Sequence, residues 1–595
     1  MSLKMTQSRR LPALAAACLL SVALPAAPAL AKEKTKPAPA ASEAVKVDYS
    51  VSIPTIDAVD SNVSDTVLSA ILSGGIADHA DELAGLDASR ITVPEIVVSV
   101  SSQRGGTSHQ STLTFTDLVL ENVVDGVAGS VSLSGTSMES DKATAEFGTI
   151  SAANFSIAGM LGIYGLVESA PDAGLETIYT DFVAEGGSLD AEDVNCTIGG
   201  VSGAEFKARP LKTPFGEMMS LAQAMEDDAD DIDPAVMAQL MRIYADIFTA
   251  FETSEVTFDG MACAGEDSQG RPMRFEIAGM AMGGMSPGLY PSIAVNGFQI
   301  AVEDDGVVGF DNLTIKPADL TGMIATLQSA PDNVDEAWLE ANARGLIPAM
   351  QGLSFTGLAI DIPDPDVEDA RIKADIGGFD LSLGNYFQGI PTDLDISATN
   401  IRAILPEDGD ESFEQLRALG VTEINAGFRL SAIWDEETST IDIREASVND
   451  VNLASVSLAG TIANATADLF SLDEHATLRA SMEMAVKALN LNVIDRGLSD
   501  IIIAQVAAEQ GADPAAMRPI FAGLAQGTVI GMLAGAADAA KMGEAVNAFV
   551  AGKAKILEIG ITAKTDPGLG MMDFMEAEEN PASLLEKVNI TAVSK

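Results

Sequence analysis

Histidine is scarce, at 3 of 595 residues. His79, His109 and His475 stand far apart, and none has a second His or Cys at ligand spacing, so no zinc or iron site is expected. Cysteine is as scarce, and Cys18 falls in the leader segment described below, which leaves Cys196 and Cys263. Cations are few, with 34 Lys and Arg against 87 Asp and Glu, a formal charge of −53. Such a field repels nucleic acid and anionic membrane surfaces, which excludes a DNA- or RNA-binding role. Neither a P-loop nor a dinucleotide glycine fingerprint follows a strand pattern. Gly284-Met-Ser286-Pro-Gly288 has the letters of a nucleophile elbow, but Pro287 lacks the backbone N–H that an oxyanion would need. The acidic run 226–233 lacks the Gly and the closing Glu of an EF-hand loop and reads as a solvated linker. Carboxylates are too abundant for any pair to be singled out as glycosidase-like. No catalytic residue, metal ligand or cofactor is therefore expected, and the chain does not read as an enzyme.

What the chain does have is a leader. Lys4, Arg9 and Arg10 precede an apolar run that ends in Ala29-Leu30-Ala31, followed at once by Lys32. Basic, apolar and small-residue regions in that order mark a secretory signal peptide over 1–31. A run of that length also suffices for a membrane anchor; Pro12, Pro25, Pro28 and the A-x-A site favour cleavage. Residues 32–45, rich in Pro and Ala, read as a flexible tether. Export to an oxidising compartment makes Cys196 and Cys263 a disulfide candidate, with two buried free thiols as the other reading.

The mature chain is acidic yet 47% hydrophobic, with a mean hydropathy of +0.21, enough apolar material for a large core. Methionine is frequent, at 24 residues, and aromatics are 5%. Apolar and polar residues alternate with the period of half-buried strands over 91–100, 113–120, 130–133 and 424–434, then over 455–462 and 478–486. Asp304-Asp305-Gly306 and Asp435-Glu436-Glu437 mark hairpin turns. Helical patterns occupy 215–225, 234–251, 318–327, 334–350, 411–419 and most of 498–550, with Asp233-Pro234 as a start signal.

Two elements recur. Asn154-Phe-Ser-Ile157 followed by Ser169-Ala-Pro-Asp172 matches Asn312-Leu-Thr-Ile315 followed by Ser329-Ala-Pro-Asp332. Phe258-Asp-Gly-Met-Ala-Cys263 matches Phe355-Thr-Gly-Leu-Ala-Ile360, with Phe115-Thr-Asp-Leu-Val-Leu120 a looser copy. The unit this suggests is strand, helix, acidic turn, helix, strand. The expected fold is thus α+β and β-rich, with repeated strand-helix-helix-strand units forming long antiparallel sheets, packed helices and a helical C-terminal segment. Expected regions are 46–212 and 213–404 as repeat regions and 405–595 as a β-meander plus helices. Cys196 and Cys263, early in strands of adjacent units, would then be neighbours in the sheet.

Within 519–537, free of charge, Gly523, Gly527, Gly531 and Gly535 recur at every fourth position. On a helix they form one bare stripe. The stripe is expected to pack glycine-side against the C-terminal sheet, or in the other reading against a second such helix in a bilayer.

Leu416-Arg-Ala-Leu-Gly420, an alternating strand ending in Trp434-Asp-Glu-Glu437, and Asp495-Arg-Gly-Leu498 opening a helical segment resemble uncharacterised exported proteins of alphaproteobacteria. Those in turn resemble the AsmA-like and YdgA-like envelope proteins. The resemblance covers roughly residues 400–595 and implies long β-sheets and, for AsmA-like members, lipid carried along an apolar groove. A cleaved leader departs from the retained anchor of the AsmA pattern. Two functions are expected from these features: an exported cell-envelope protein that binds or transfers an apolar ligand such as lipid, or a non-catalytic scaffold of the envelope or cell surface. The expected place is the periplasm or outer envelope of a Gram-negative bacterium. The partners are a lipid or another envelope protein, and membrane contact is allowed but not required.

Overall fold

The computed structural model describes residues 46–595 except 105–106, 168–172, 214–217, 219–220, 222–232, 365–370, 406–410, 419, 534–537 and 581. The leader 1–31, the tether 32–45, Ser169-Ala-Pro-Asp172, Gly535 and nearly all of 215–232 lie outside the described residues. The fold is α+β and β-rich, as the alternation predicts. One large antiparallel sheet runs the length of the chain, with a second, three-stranded sheet beside it.

Strands pair mostly with their neighbours in sequence, so the sheet is a meander. Ile293–Val302 and Gly306–Ile315 form one hairpin, with Val302 opposite Gly306 across a turn in which Asp304 takes a left-handed φ of 60°. Asp tolerates that conformation better than most residues, which is why it suits the turn. Pairing also crosses both expected region boundaries: Val201–Ala208 pairs with Phe251–Thr253 and Val256–Phe258, and Ile390–Ile404 pairs with Glu423–Asp435.

The two borders of the sheet differ. At one border strands turn back through short acidic hairpins, such as Glu192-Asp193, Glu303-Asp304-Asp305 and the turn after Asp450. At the other border helices intervene: Asp65–Ala70, Ile157–Ile163, Pro234–Ile247, Thr321–Gln328, Glu336–Asn342 and Glu474–Glu483. As far as Ile404 this is the repeated unit in space; beyond it helix Glu411–Ala418 and the helices of 498–550 leave from the hairpin border, and the Asp435-Glu436-Glu437 hairpin lies on the helix border. Ile71 and Leu86, each 2% exposed, seat the first helical layer on Ile91 and Val93. Burying a side chain of that size contributes about 1.5–3 kcal/mol. A second core joins Ala238, Met241 and Ala245 to Ile324 and Leu327 between helices.

Several boundaries differ from the sequence pattern. Segment 478–486 is not a strand. Helix Glu474–Glu483 covers its first part, and the strand is Ala485–Asp495. The Asp473 carboxylate accepts the N–H of His475 at 2.9 Å and caps the helix, while Ala476 and Ala480, one turn apart, are buried. The alternating Leu478 and Met482 face solvent instead. The helix expected over 318–327 starts only at Thr321, because Ala318–Asp319 pairs between Leu289–Tyr290 and Ala349–Met350. The helical stretch 498–550 is three helices, Leu498–Gln510, Pro514–Met532 and Ala539–Val550. Gly511, at φ 60°, ends the first, and Asp513 before Pro514 caps the second. Among the described residues no helix is long and apolar enough to cross a membrane.

Candidate functional site

Residues opposite one another in paired strands share a face of the sheet, so the register shows which side chains line up. From Val295 a row passes through Leu313, Phe355, Phe379, Ala398, Phe428, Val448, Val456 and Val493 to Leu557, each residue the partner of the next. In the other direction it passes through Met280, Phe258, Val201, Ala184, Ile150, Leu133 and Leu118 to Val93. Every member is apolar. A parallel row two residues along is apolar too: Ile293, Ile315, Leu353, Leu381, Ile396, Leu430, Ala446, Leu458, Leu491 and Ile559. At ~4.8 Å per strand this uncharged lane extends roughly 80 Å. Shift by one residue and the opposite face appears: Ser354, Asp380, Ser397, Arg429, Ser447, Ser457, Asn492 and Glu558. There Arg429 pairs with Asp395 at 2.6 Å and Arg444 with Asp393 at 3.1 Å.

A crease runs along the lane. On its far side another apolar row lies: Leu189, Cys196, Cys263, Phe275, Ile300, Val308, Ile360, Ala374, Ala403 and Ile424. The residues that flank the crease stand three apart, as in Phe115/Leu118, Phe258/Met261, Val295/Phe298, Phe355/Leu358 and Ala398/Ile401. A regular strand would put such pairs on opposite faces. Between them sit residues with left-handed φ: Asp117 at 50°, Gly260 at 86°, Gly297 at 62°, Gly357 at 66° and Asn400 at 52°. Each resets the alternation, so both flanks present apolar side chains to one side. Val93 and Ile96, also three apart, accordingly pack in one cluster. Beside the crease Phe298 stacks on Phe310, centroids 4.9 Å apart, and meets Phe275 edge to face at 5.7 Å. The recurring Phe-x-Gly/Asp-Leu/Met motif is this crease.

The lane is covered at its ends and open between. Val93 is 1% exposed beneath the first helical layer, and Leu557 is buried near helix Ala539–Val550. Val448, in contrast, is 64% exposed, and Phe428, Leu430 and Val456 are exposed with it. With Ala446, Arg429 and Ser447 they line a shallow depression of about 420 Å³. Uncovered apolar side chains in a contiguous group mark a binding surface.

The structure joins Cys196 to Cys263 by a disulfide, with Cα atoms 4.0 Å apart across paired strands. The bridge is part of the apolar row beyond the crease. The glycine stripe is placed differently from the expectation. A Cβ on Gly523, Gly527 or Gly531 would meet nothing within 4 Å, so this side faces away from the sheet. The helix packs through Met517 and Phe521 on Ile503 and Ala507 instead. The close approach falls on Gly543 of the next helix, against Ile530.

Asp495, in the motif that opens the C-terminal helices, is 6% exposed. Its carboxylate accepts bonds from the Lys555 ammonium at 2.9 Å, the Ser499 hydroxyl at 2.7 Å and the backbone N–H groups of Gly497 and Ser499. Burial alone would raise its pKa, but these donors outweigh it and hold the group down to about 2. The network ties the start of helix Leu498–Gln510 to Lys555, just before the strand Ile556–Ala563.

Among the described residues no group of three or more His, Cys, Asp or Glu side chains could hold a metal ion. Ser286 lies in a tight turn bridged to Leu289, with Pro287 between them. A protein family described as "Uncharacterized protein" matches residues 447–595, which hold the C-terminal strands of the lane and the helices beyond them. No curated protein and no solved structure matches the chain.

Proposed function

We propose that this protein binds, and passes along its sheet, the apolar chains of a lipid in the cell envelope. The observation that carries this reading is the uncharged lane, left open around Val448 in a chain with a formal charge of −53. A soluble antiparallel sheet ordinarily covers its apolar face or makes it polar. Here one face is densely charged, and the other keeps apolar residues in register over roughly 80 Å at ~4.8 Å per strand. Such a surface suits a long flexible chain better than a compact solute. The reading agrees with the groove implied by the AsmA-like resemblance and with the export implied by the leader. The experiment is native mass spectrometry of the chain purified from envelope fractions, with lipid extraction of the same sample. Co-purified lipid is expected. Protein that is folded, empty and unable to take up a labelled acyl chain would point to the scaffold reading instead.

A further inference from the structure

Two neighbouring helices near the C-terminal end of the sheet are inside out. Ala485, just after helix Glu474–Glu483, pairs with Gly570, just before helix Met571–Glu579, so both helices join the sheet at one point. The first turns Ala476 and Ala480 inward, where both are buried, and leaves Leu478 and Met482 in solvent. The second turns half-buried Asp573 and Ala577 inward and leaves Met571, Met572 and Met575 outside, Met572 at 74% exposure. Asp573 is fixed there by the Gly570 N–H at 2.8 Å and the Lys587 ammonium at 2.7 Å. Leu472 and Leu478 also line a depression of about 440 Å³. A surface helix ordinarily turns its large apolar residues to the core. Helices Pro234–Ile247 and Thr321–Gln328 of the same chain do so, burying Met241, Ile243, Ile324 and Leu327.

We propose that these two helices are the docking site of a partner protein, which presents an amphipathic helix with Lys or Arg beside its apolar face. Large apolar side chains uncovered in a group mark a contact surface, and unbranched Met adapts to the shape of what it meets. The acids decide the kind of partner. Residues three or four apart share a face of a helix. Glu474 stands four before Leu478, and Glu578 three after Met575, so each lies within the apolar face itself. Both are exposed, and among the described residues neither is engaged by a cation, whereas Glu576 is held by Lys587 at 2.7 Å. Arg479, the one Lys or Arg in the two helices, is turned about 100° from Leu478. A cover that buries the methionines therefore buries unpaired carboxylates, which is costly unless it brings cations of its own. The hydrocarbon of a bilayer brings none. A basic amphipathic helix supplies apolar contact and cations together.

The test uses the purified full chain and a fluorescent peptide of about four helical turns, with Leu on one face and Lys on the other. A scrambled peptide of the same composition controls for attraction to the acidic chain as a whole. In anisotropy titrations the patterned peptide should bind about tenfold tighter than the scrambled one. Met572→Gln with Met575→Gln, or Leu478→Gln with Met482→Gln, should remove most of that difference. These side chains are exposed and Gln suits a helix, so the fold should stand. Glu474→Gln with Glu578→Gln should weaken the patterned peptide about threefold at low salt and flatten its salt dependence. Val448→Asp, in the open stretch of the lane, should leave peptide binding unchanged. Equal binding of the two peptides overturns the proposal, as does full binding by both apolar variants or by the Glu variant, or loss of binding in Val448→Asp. Wild-type chain that floats with phosphatidylcholine vesicles and ignores the peptide also overturns it, and assigns this face to a bilayer.

Discussion

Lys555, just before the strand Ile556–Ala563, reaches Asp495 at 2.9 Å, its own side chain half exposed while the carboxylate it meets is 5% exposed. The pair is asymmetric: water can serve the lysine, but only protein donors serve the aspartate. Removing the aspartate's charge should therefore cost more than removing the lysine's.

Asp495→Asn should lower stability by about 2 kcal/mol at pH 7, the linkage value of a carboxyl moved from its ordinary range to about 2. The folded pKa is depressed, so this stabilisation is complete above the ordinary carboxylate range and is lost as pH falls from ~4 through ~2. Urea unfolding at a series of pH values measures it. A difference between wild type and variant that stays constant down to pH 2 would contradict the assignment.

Gly357 and Gly531 should respond in opposite directions. At Gly357, φ is 66° and an added Cβ would strike the Asp311 carboxylate, so Gly357→Ala should cost about 1–3 kcal/mol. At Gly531 an added Cβ meets open space on a helix, and Gly531→Ala should stabilise by up to about 1 kcal/mol. Thermal unfolding of the two variants checks both. A loss at Gly531 would show that the stripe is covered after all.

Cys196 and Cys263 should resist alkylation until reductant is added. Replacing both with serine opens a loop whose ends are 67 residues apart. The chain-entropy estimate puts the loss at about 4 kcal/mol, less if the reduced chain retains structure. Maleimide labelling with and without reductant, then denaturant titration of the double variant, provides the measurement.

Val448→Asp should leave the fold intact and empty the lane. The side chain is 64% exposed, so the stability change should stay within about 0.5 kcal/mol. A carboxylate in the middle of the open stretch should cut acyl-chain uptake about tenfold, because a chain crossing it must either detour or desolvate the charge. Uptake unchanged from wild type would place the ligand elsewhere.

Much of the sheet is legible in the residues. The alternation over 424–434 becomes the strand Glu423–Asp435, and the Asp304-Asp305-Gly306 turn closes a hairpin. The Cys196–Cys263 pairing follows from their like positions in adjacent units. The Phe-x-Gly/Asp-Leu motif is visible as a repeat, but its meaning is not, because a left-handed residue is a backbone event and the letters Gly, Asp and Asn mark turns more often than creases. The signal was the spacing of three between apolar residues where a strand should give two. Helix Glu474–Glu483 escapes notice because Leu478 and Met482 fit period two as well as period four, and only Asp473 and the Ala476/Ala480 pair separate the two. The glycine stripe misleads for a different reason: a bare helix face permits close approach but does not compel it, and here Gly543 takes that role.

The crease also has a mechanical consequence. A flat plate bends easily, whereas the same plate folded along a line resists bending along that line, as a corrugated panel does. Flexing this sheet about an axis across the crease would have to stretch hydrogen bonds on one flank while compressing strand spacing on the other. The fold line passes through Asp117, Gly260, Gly297, Gly357 and Asn400, so successive strands are braced by one shared ridge. Between Asp117 and Asn400 the sheet should therefore behave as a girder, stiffer than the uncreased strands that follow it.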